Sequence, residues 1–181
     1  MYKRQGYSEW ADVDNDGDQD LALSTTDEFS IPQTQLYLND NGNLTAVDTL
    51  LTNILGPLTW ADFDNDGDVD LLISGLDETG SRQAIIFENR IAESEGFMAQ
   101  DLDITATSAG SVATSDFDND GDVDFAIAGS TGSSSETSVY ENQLNEGGGF
   151  VRIAVGFAAI TTGEVTWADI CLLYTSPSPR D

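Results

Sequence analysis

Residues 62–70 read DFDNDGDVD, and the same acidic pattern stands at residues 12–20 (DVDNDGDQD) and 116–124 (DFDNDGDVD). All three copies fit the pattern D-x-D-x-D-G-x-x-D. Five carboxylates within nine residues repel one another unless a cation lies between them. Oxygen ligands alone select Ca²⁺ over Zn²⁺ or Cu²⁺, which prefer His or Cys. The sequence therefore predicts three calcium sites, about one for each complete repeat.

The role of each residue follows from its position in the loop, numbered 1–9 from the first Asp. Side chains at positions 1, 3, 5 and 9 can converge on one centre, while the Gly at position 6 permits the sharp turn that brings them round. Position 7 is expected to offer its backbone carbonyl, which leaves its side chain free for water. The apolar residue at position 2 should point away from the ion and anchor the loop. The predicted metal ligands are Asp12, Asp14, Asp16, Asp18, Asp20, Asp62, Asp64, Asp66, Asp68, Asp70, Asp116, Asp118, Asp120, Asp122 and Asp124, with Asp18, Asp68 and Asp122 acting through their backbone carbonyls.

Each nonapeptide belongs to a longer internal repeat. Glycine begins four alignable segments, and the repeat recurs about every 50 residues. Each unit contains four short apolar segments separated by turn residues, and four antiparallel strands in about 50 residues are typical of one β-propeller blade. The chain is therefore predicted to be all-β. Complete blades are expected at residues 6–55, 56–109 and 110–162, and the first strand of a fourth at 163–170.

Two packing expectations follow from the apolar residues. The second strand of each unit is apolar at successive positions, as in residues 71–73, and should be covered on both faces by neighbouring sheets. Trp10, Trp60 and Trp167 recur at one position of the repeat. We expect them to pack in the core between blades rather than to stack on a ligand.

Composition excludes several classes of function. The chain has 33 Asp and Glu against 6 Lys and Arg, a formal charge of -27, no His and one Cys. This charge excludes a nucleic-acid-binding surface. The absence of His, with a single Cys, excludes the common catalytic triads, zinc sites and disulfide frameworks. No apolar run is long enough for a membrane span. We predict no catalytic residues and no organic cofactor.

The two termini are set apart from the repeats. Residues 171–181 (CLLYTSPSPRD) have no counterpart in the repeats and resemble a translated sequencing adapter. Residues 2–5 (YKRQ) fit a reading of the complementary strand of that adapter. We therefore expect residues 1–5 and 171–181 to be artefacts and the natural part to be a fragment of a longer chain.

The nonapeptides are not EF-hand loops. An EF-hand needs a bidentate Glu at position 12, which here is Leu23, Ile73 or Ile127, within a predicted strand. Closure at position 9 between two strands resembles instead the FG-GAP/VCBS-type repeats of integrin-α-like β-propellers, over essentially all of residues 6–170. The literal Phe-Gly and Gly-Ala-Pro motifs are missing, which favours the broad bacterial-type branch over integrins.

This resemblance implies a secreted or cell-surface propeller stiffened by Ca²⁺, with further blades supplied by the same full-length chain. It also implies a protein or glycan ligand on the face opposite the calcium hairpins. That face would comprise residues 27–34, 76–83 and 130–137, together with the inter-blade links 52–57, 105–111 and 161–164.

Two classes of function remain open. Adhesion or ligand binding is favoured, and the chain is expected not to be an enzyme. The alternative is the propeller domain of a polysaccharide-degrading enzyme of the lyase type, in which Asp and Glu would do acid–base work. Arg82, beside the proposed ligand face, is the first residue to test for that alternative.

Overall fold

The computed structural model describes residues 6–49, 51–100, 102–154 and 156–168. The termini predicted to be artefacts, residues 1–5 and 171–181, lie outside the described residues. The described part is all-β, as predicted, and contains no helix. None of it, accordingly, forms an apolar helix of membrane-spanning length.

Three antiparallel sheets follow one another along the chain. The first sheet has the order β1-β2-β3-β4 and the third the order β10-β11-β12-β13. The second has the order β5-β7-β8-β9, and β6 also pairs with β7, so two short strands occupy the place that β1 and β10 hold in the other sheets. The strands are β1 Tyr7–Ala11, β2 Asp20–Thr26, β3 Pro32–Asp40, β4 Asn43–Val47, β5 Ile54–Leu55, β6 Leu58–Ala61, β7 Asp70–Asp77, β8 Arg82–Arg90, β9 Gly96–Gln100, β10 Ser108–Ser115, β11 Asp124–Ser130, β12 Ser135–Asn142 and β13 Phe150–Ile153.

The hydrophobic core lies between the sheets. In β7, Leu71 and Ile73 pack with residues of the first sheet, including Leu36. Leu72 faces the other way and packs with Phe125 of the third sheet. Because successive side chains of a strand point to opposite faces, β7 is buried on both faces. This confirms the prediction for the second strand of this unit.

The apolar residue at loop position 2 joins one unit to the next. Val13 belongs to the core shared with the second sheet, and Phe63 meets the rings of Phe125 and Phe150 of the third sheet edge-on, with centroids 6.2 and 5.6 Å apart. Both side chains are buried. As predicted, position 2 anchors the loop in the core at these two positions.

The tryptophans do not share one environment. Trp60 packs against the core between the first two sheets, and Trp167 stacks on Phe117 with centroids 5.8 Å apart. Trp10, by contrast, is 52% exposed, so the prediction of core packing is wrong for it. This tryptophan position faces the preceding unit, and within the described residues no unit covers that face of β1.

The segment predicted to begin a fourth blade forms no strand in its described part, residues 163–168. A first strand gains its ladder by pairing with the second strand of its own sheet, and no such strand is described after residue 168. The segment nevertheless lies along β10, where the Val165 amide donates to Ser111 Oγ (3.0 Å) and Trp167 Nε1 donates to the Ala113 carbonyl (3.2 Å).

The antiparallel order separates two ends of the sheets. The Asp loops join the first and second strands of each unit at one end. The hairpin turns at residues 27–31, 78–81 and 131–134 lie at the other end. At that end Arg82 of the second sheet donates from Nε to the Ser130 carbonyl of the third (3.1 Å).

The links between units are more buried than predicted. Ile54 was assigned to a solvent-facing link but lies in β5 with no exposed surface, and Thr107 is equally buried. Buried serines fix both links, because Ser24 Oγ donates to the Ile54 carbonyl (2.8 Å) and Ser74 Oγ to the Thr107 carbonyl (2.9 Å). The links therefore close the interfaces between sheets, and the exposed part of this end consists mainly of the hairpin turns.

Candidate metal centres

The three Asp loops fold in the same way. The amide at position 6 donates to Oδ2 of the position 1 Asp in each loop, at 3.0 Å from Gly17, 3.0 Å from Gly67 and 3.2 Å from Gly121. These glycines have φ angles of 96°, 99° and 100°, in the region that favours glycine. The predicted sharp turn at position 6 is confirmed.

Three carboxylates converge in each loop, with one ligand atom from each residue within 4.8 Å of the others. In the first and third loops they come from positions 1, 3 and 9. In the second loop they come from positions 1, 3 and 5. The clusters are Asp12, Asp14 and Asp20; Asp62, Asp64 and Asp66; and Asp116, Asp118 and Asp124. Asp16, Asp70 and Asp120, also predicted to donate from their side chains, lie outside these clusters.

The position 9 carboxylate braces the loop against the sheet. Asp70 is 1% exposed and accepts from the amides of Phe63 (3.0 Å) and Asn89 (2.8 Å), one on each oxygen. Asp20 and Asp124 make the equivalent pairs of bonds and are fully buried. Position 9 therefore orders the loop directly, besides its predicted role as a ligand.

The position 7 side chains have hydrogen-bond partners within the protein, which the prediction did not include. Asp68 Oδ1 accepts from Asn15 Nδ2 of the preceding loop (2.6 Å), and Asp122 Oδ1 accepts from Asn65 Nδ2 (2.6 Å). Asp18 Oδ2 accepts from the Asn41 amide (2.6 Å). A carboxylate offers several acceptor sites. In each loop a neighbouring loop or turn donates a hydrogen bond to one of them.

The Asp loops hold carboxylates whose pKa values are raised, so that they resist ionisation. Burial, together with the neighbouring carboxylates, raises the pKa of Asp14, Asp64 and Asp118. Burial raises the pKa of Asp70 to about 7, against the opposing effect of its two amide donors. A divalent cation among these groups would offset both the desolvation and the repulsion.

The residues present fit a hard cation. Asp12 Oδ1 is buried and has no hydrogen-bond partner among the described residues. A buried polar atom without a hydrogen-bond partner lowers the free energy of unfolding. A bound cation would supply the missing contact. The donor set consists of carboxylate oxygens, which suit Ca²⁺, Mg²⁺ or Mn²⁺.

One comparison with known proteins bears on this arrangement. Residues 10–73 match a family model described as an FG-GAP-like repeat. The match takes in both the first and the second Asp loop, so the FG-GAP resemblance predicted from the nonapeptides is confirmed over these residues. No curated protein matches the chain.

Sequence reasoning missed one recurring residue of the repeat units, the Asn near the end of the third strand of each unit. Asn89 Nδ2 donates to the carbonyls of Val13 (2.8 Å) and Val69 (3.1 Å). Asn142 makes the equivalent bonds one unit further along, to Phe63 (2.7 Å) and Val123 (3.2 Å). The available signal was the recurrence of Asn39, Asn89 and Asn142 at one position of the repeat.

Proposed function

We propose that this chain is a calcium-binding β-propeller region of a secreted or cell-surface protein, which displays a binding face to a protein or glycan partner. The observation that carries the proposal is the threefold recurrence of an oxygen-only cluster at the same point of the repeat unit, with two of the three clusters inside the residues that match an FG-GAP-like repeat. Three equivalent loops in consecutive sheets fit a repeated metal site better than chance acidic turns.

The arrangement of the first strands supports a propeller. Strand β6 packs between β1 and β10. Residues of these three strands, together with residues 163–165, line one cavity of about 310 Å³. In a propeller the blades surround a central channel, and a common cavity beside the first strands is what that architecture requires.

Calcium would act here as a structural ion. Extracellular modules bind it with dissociation constants of about 10⁻⁴–10⁻³ M. At ten times the dissociation constant each site would stabilise the fold by about 1.4 kcal/mol. Three sites would together contribute about 4 kcal/mol, a large share of a small domain's net stability.

The metal part of the proposal is tested by melting the protein in CaCl₂ and in EGTA. We expect a higher melting temperature in Ca²⁺ and binding of three ions by equilibrium dialysis. A variant with Asn at all three position 1 residues (Asp12, Asp62 and Asp116) should lose both effects. Identical melting temperatures in Ca²⁺ and EGTA, with no bound ion, would overturn it.

The binding face is proposed at the hairpin-turn end. Phe29, in the turn between β2 and β3, is 76% exposed, and residues 78–81 of the next hairpin are exposed as well. Immobilised glycans and extracellular proteins are the probes for this face. Loss of binding in Phe29→Ala, with binding kept in Asn43→Ala at the Asp-loop end, would support it. Equal effects of the two variants would contradict this placement.

The enzyme alternative has its own experiment. Purified protein would be incubated with uronate-containing polysaccharides, and unsaturated products would be followed by ultraviolet absorbance. Arg82 already binds the Ser130 carbonyl through Nε, which favours a role in joining two sheets. Turnover that disappears in Arg82→Ala would support the enzyme class, and no turnover in the full-length protein would exclude it.

A further inference from the structure

The Asp loops of neighbouring units are joined directly to each other. Asn15 at position 4 of the first loop donates to Asp68 at position 7 of the second, and Asn65 donates in the same way to Asp122 of the third, each at 2.6 Å. These residues stand 53 and 57 positions apart. The same contact thus recurs at both interfaces between units.

We propose that the position 4 Asn is a positioning residue for the metal site of the following unit, so that successive sites bind Ca²⁺ cooperatively. The inference rests on the proposed calcium function. Position 7 is the residue expected to offer its backbone carbonyl to the ion, and the Asn of the preceding loop holds the side chain of that same residue.

The backbone of the position 7 residue is held within its own loop as well. The Asp68 amide donates to Asp66 Oδ1 at 2.9 Å, and the Asp122 amide donates to Asp120 Oδ1 at 2.9 Å. The side chain of the position 7 residue is therefore the part that contacts the preceding unit. An ion that orders one loop restricts position 7, and this favours the arrangement in which the Asn bond forms.

A second hydrogen bond at each interface also joins an Asp loop to the following unit. Asn89 of the second unit donates to the carbonyl of position 2 in the first loop, Val13 (2.8 Å), and Asn142 does the same to Phe63 in the second loop (2.7 Å). Both Asn side chains are buried. Each of the first two loops thus makes two hydrogen bonds to the following unit.

Cooperativity follows from these contacts by linkage. If order in one loop strengthens a contact that orders its neighbour, an ion in either loop raises the affinity of the other by the same factor. Loss of one intramolecular hydrogen bond should change that factor about threefold to tenfold.

The chain offers a matched control for this test. Asn15, Asn65 and Asn119 occupy position 4 with φ angles of 58°, 59° and 63°. The Asn119 side chain, however, makes no hydrogen bond to any described residue. Glycine tolerates such φ values, so Asn65→Gly removes the contact between loops without backbone strain, and Asn119→Gly makes the same change where that contact is missing.

The readout is calcium affinity, resolved loop by loop in the full chain by ¹⁵N NMR. The amides of Gly17, Gly67 and Gly121 report the three loops separately. In Asn65→Gly we expect affinity at the unmutated third loop to fall about threefold to tenfold, with the first loop unchanged. In Asn119→Gly the second loop should keep its affinity.

A reciprocal variant guards against local misfolding in Asn65→Gly. Asp122→Ala keeps the position 7 carbonyl but removes the acceptor of Asn65, together with the acceptor of Asn145 within its own unit (2.8 Å), and it should weaken the unmutated second loop. Asp18→Ala, whose side chain binds only within its own unit, should leave the second loop unchanged. Three bound ions with neighbouring loops unaffected in both test variants would overturn the coupling and leave the proposed function standing. No bound ion in the parent protein would overturn both.

Discussion

Asn89 of β8 reaches out of its own sheet and donates a hydrogen bond of 2.8 Å to the backbone carbonyl of Val13 in the first Asp loop, 76 residues earlier in the chain. The same side chain also bonds Val69 O and accepts from the Ile91 amide (3.1 Å each). One buried amide thus satisfies three backbone groups from two units, which makes it the clearest single test of how the sheets are held together.

Replacement of Asn89 should destabilise the fold strongly. Asn89→Ala leaves three backbone groups without their partner, and each buried unmet group costs about 1–3 kcal/mol. We expect the free energy of unfolding to fall by about 3 kcal/mol in urea denaturation. Asn39→Ala is the control, because Asn39 is half-exposed and bonds only within its own unit. Equal losses in the two variants would contradict a special role for the bond between units.

Gly110 should not tolerate a side chain. A Cβ at this residue would lie 1.7 Å from the Ala128 carbonyl oxygen, so the backbone of β10 or β11 would have to move. We expect Gly110→Ala to cost about 3 kcal/mol or more. At Gly6, the equivalent residue of the first unit, the nearest atom is 3.4 Å away. Gly6→Ala should therefore melt close to the parent protein, and a large loss there would argue against the steric explanation.

Phe63 should matter more than its counterpart in the third loop. Its ring is buried between the second and third sheets, whereas Phe117 is half-buried. Truncation of a buried Phe costs about 3–5 kcal/mol, so Phe63→Ala should lower the denaturation midpoint well below that of Phe117→Ala. A larger effect of Phe117→Ala would contradict this dependence on burial between the two sheets.

The stability of the metal-free protein should fall as pH rises. Burial raises the folded-state pKa of Asp70 from 3.8 to about 7. Between these values the folded state keeps a proton that the unfolded state has lost, so the free energy of unfolding decreases as pH rises and levels off above about pH 7. Urea denaturation in EGTA at several pH values measures this slope.

Calcium should reverse this trend, because the ion binds ionised carboxylates and its binding releases protons. Denaturation in CaCl₂ between pH 4 and 7 should therefore show stability rising with pH. Calorimetry at pH 6 in buffers of different ionisation enthalpy should show proton release. The same pH slope in EGTA and in CaCl₂ would contradict both expectations.

The nonapeptides and the spacing of apolar and turn residues were sufficient to predict the all-β class, the antiparallel order of the strands within a unit and the turn at position 6, though not the pair of short strands, β5 and β6, that begins the second unit. These features depend on neighbours in the chain. The position 6 Gly reaches a φ near +100°, and the carboxylates at positions 1 and 5 receive amide bonds from residues two to five positions away. A short stretch of sequence contains all the partners of such bonds, so its pattern predicts them.

The contacts between units could not be predicted in this way. Whether Trp10 is buried depends on a sheet that would have to pack against it, and the burial of Ile54 depends on Ser24 and the core between two sheets. The side chain of Asp68 was expected to be free for water because the backbone carbonyl of position 7 was assigned to the ion. Only the packing of sheet on sheet brings Asn15 to it.

The sequence alone therefore determined what each repeat is: a short antiparallel sheet with an acidic loop at one end, set by local turn geometry and a period of about 50 residues. The tertiary structure decided how the repeats are joined, through Asn89, Asn142 and the position 4 to position 7 bonds. The physical reason is distance along the chain: these partners stand 53 to 79 residues apart and meet only when separate sheets pack face to face.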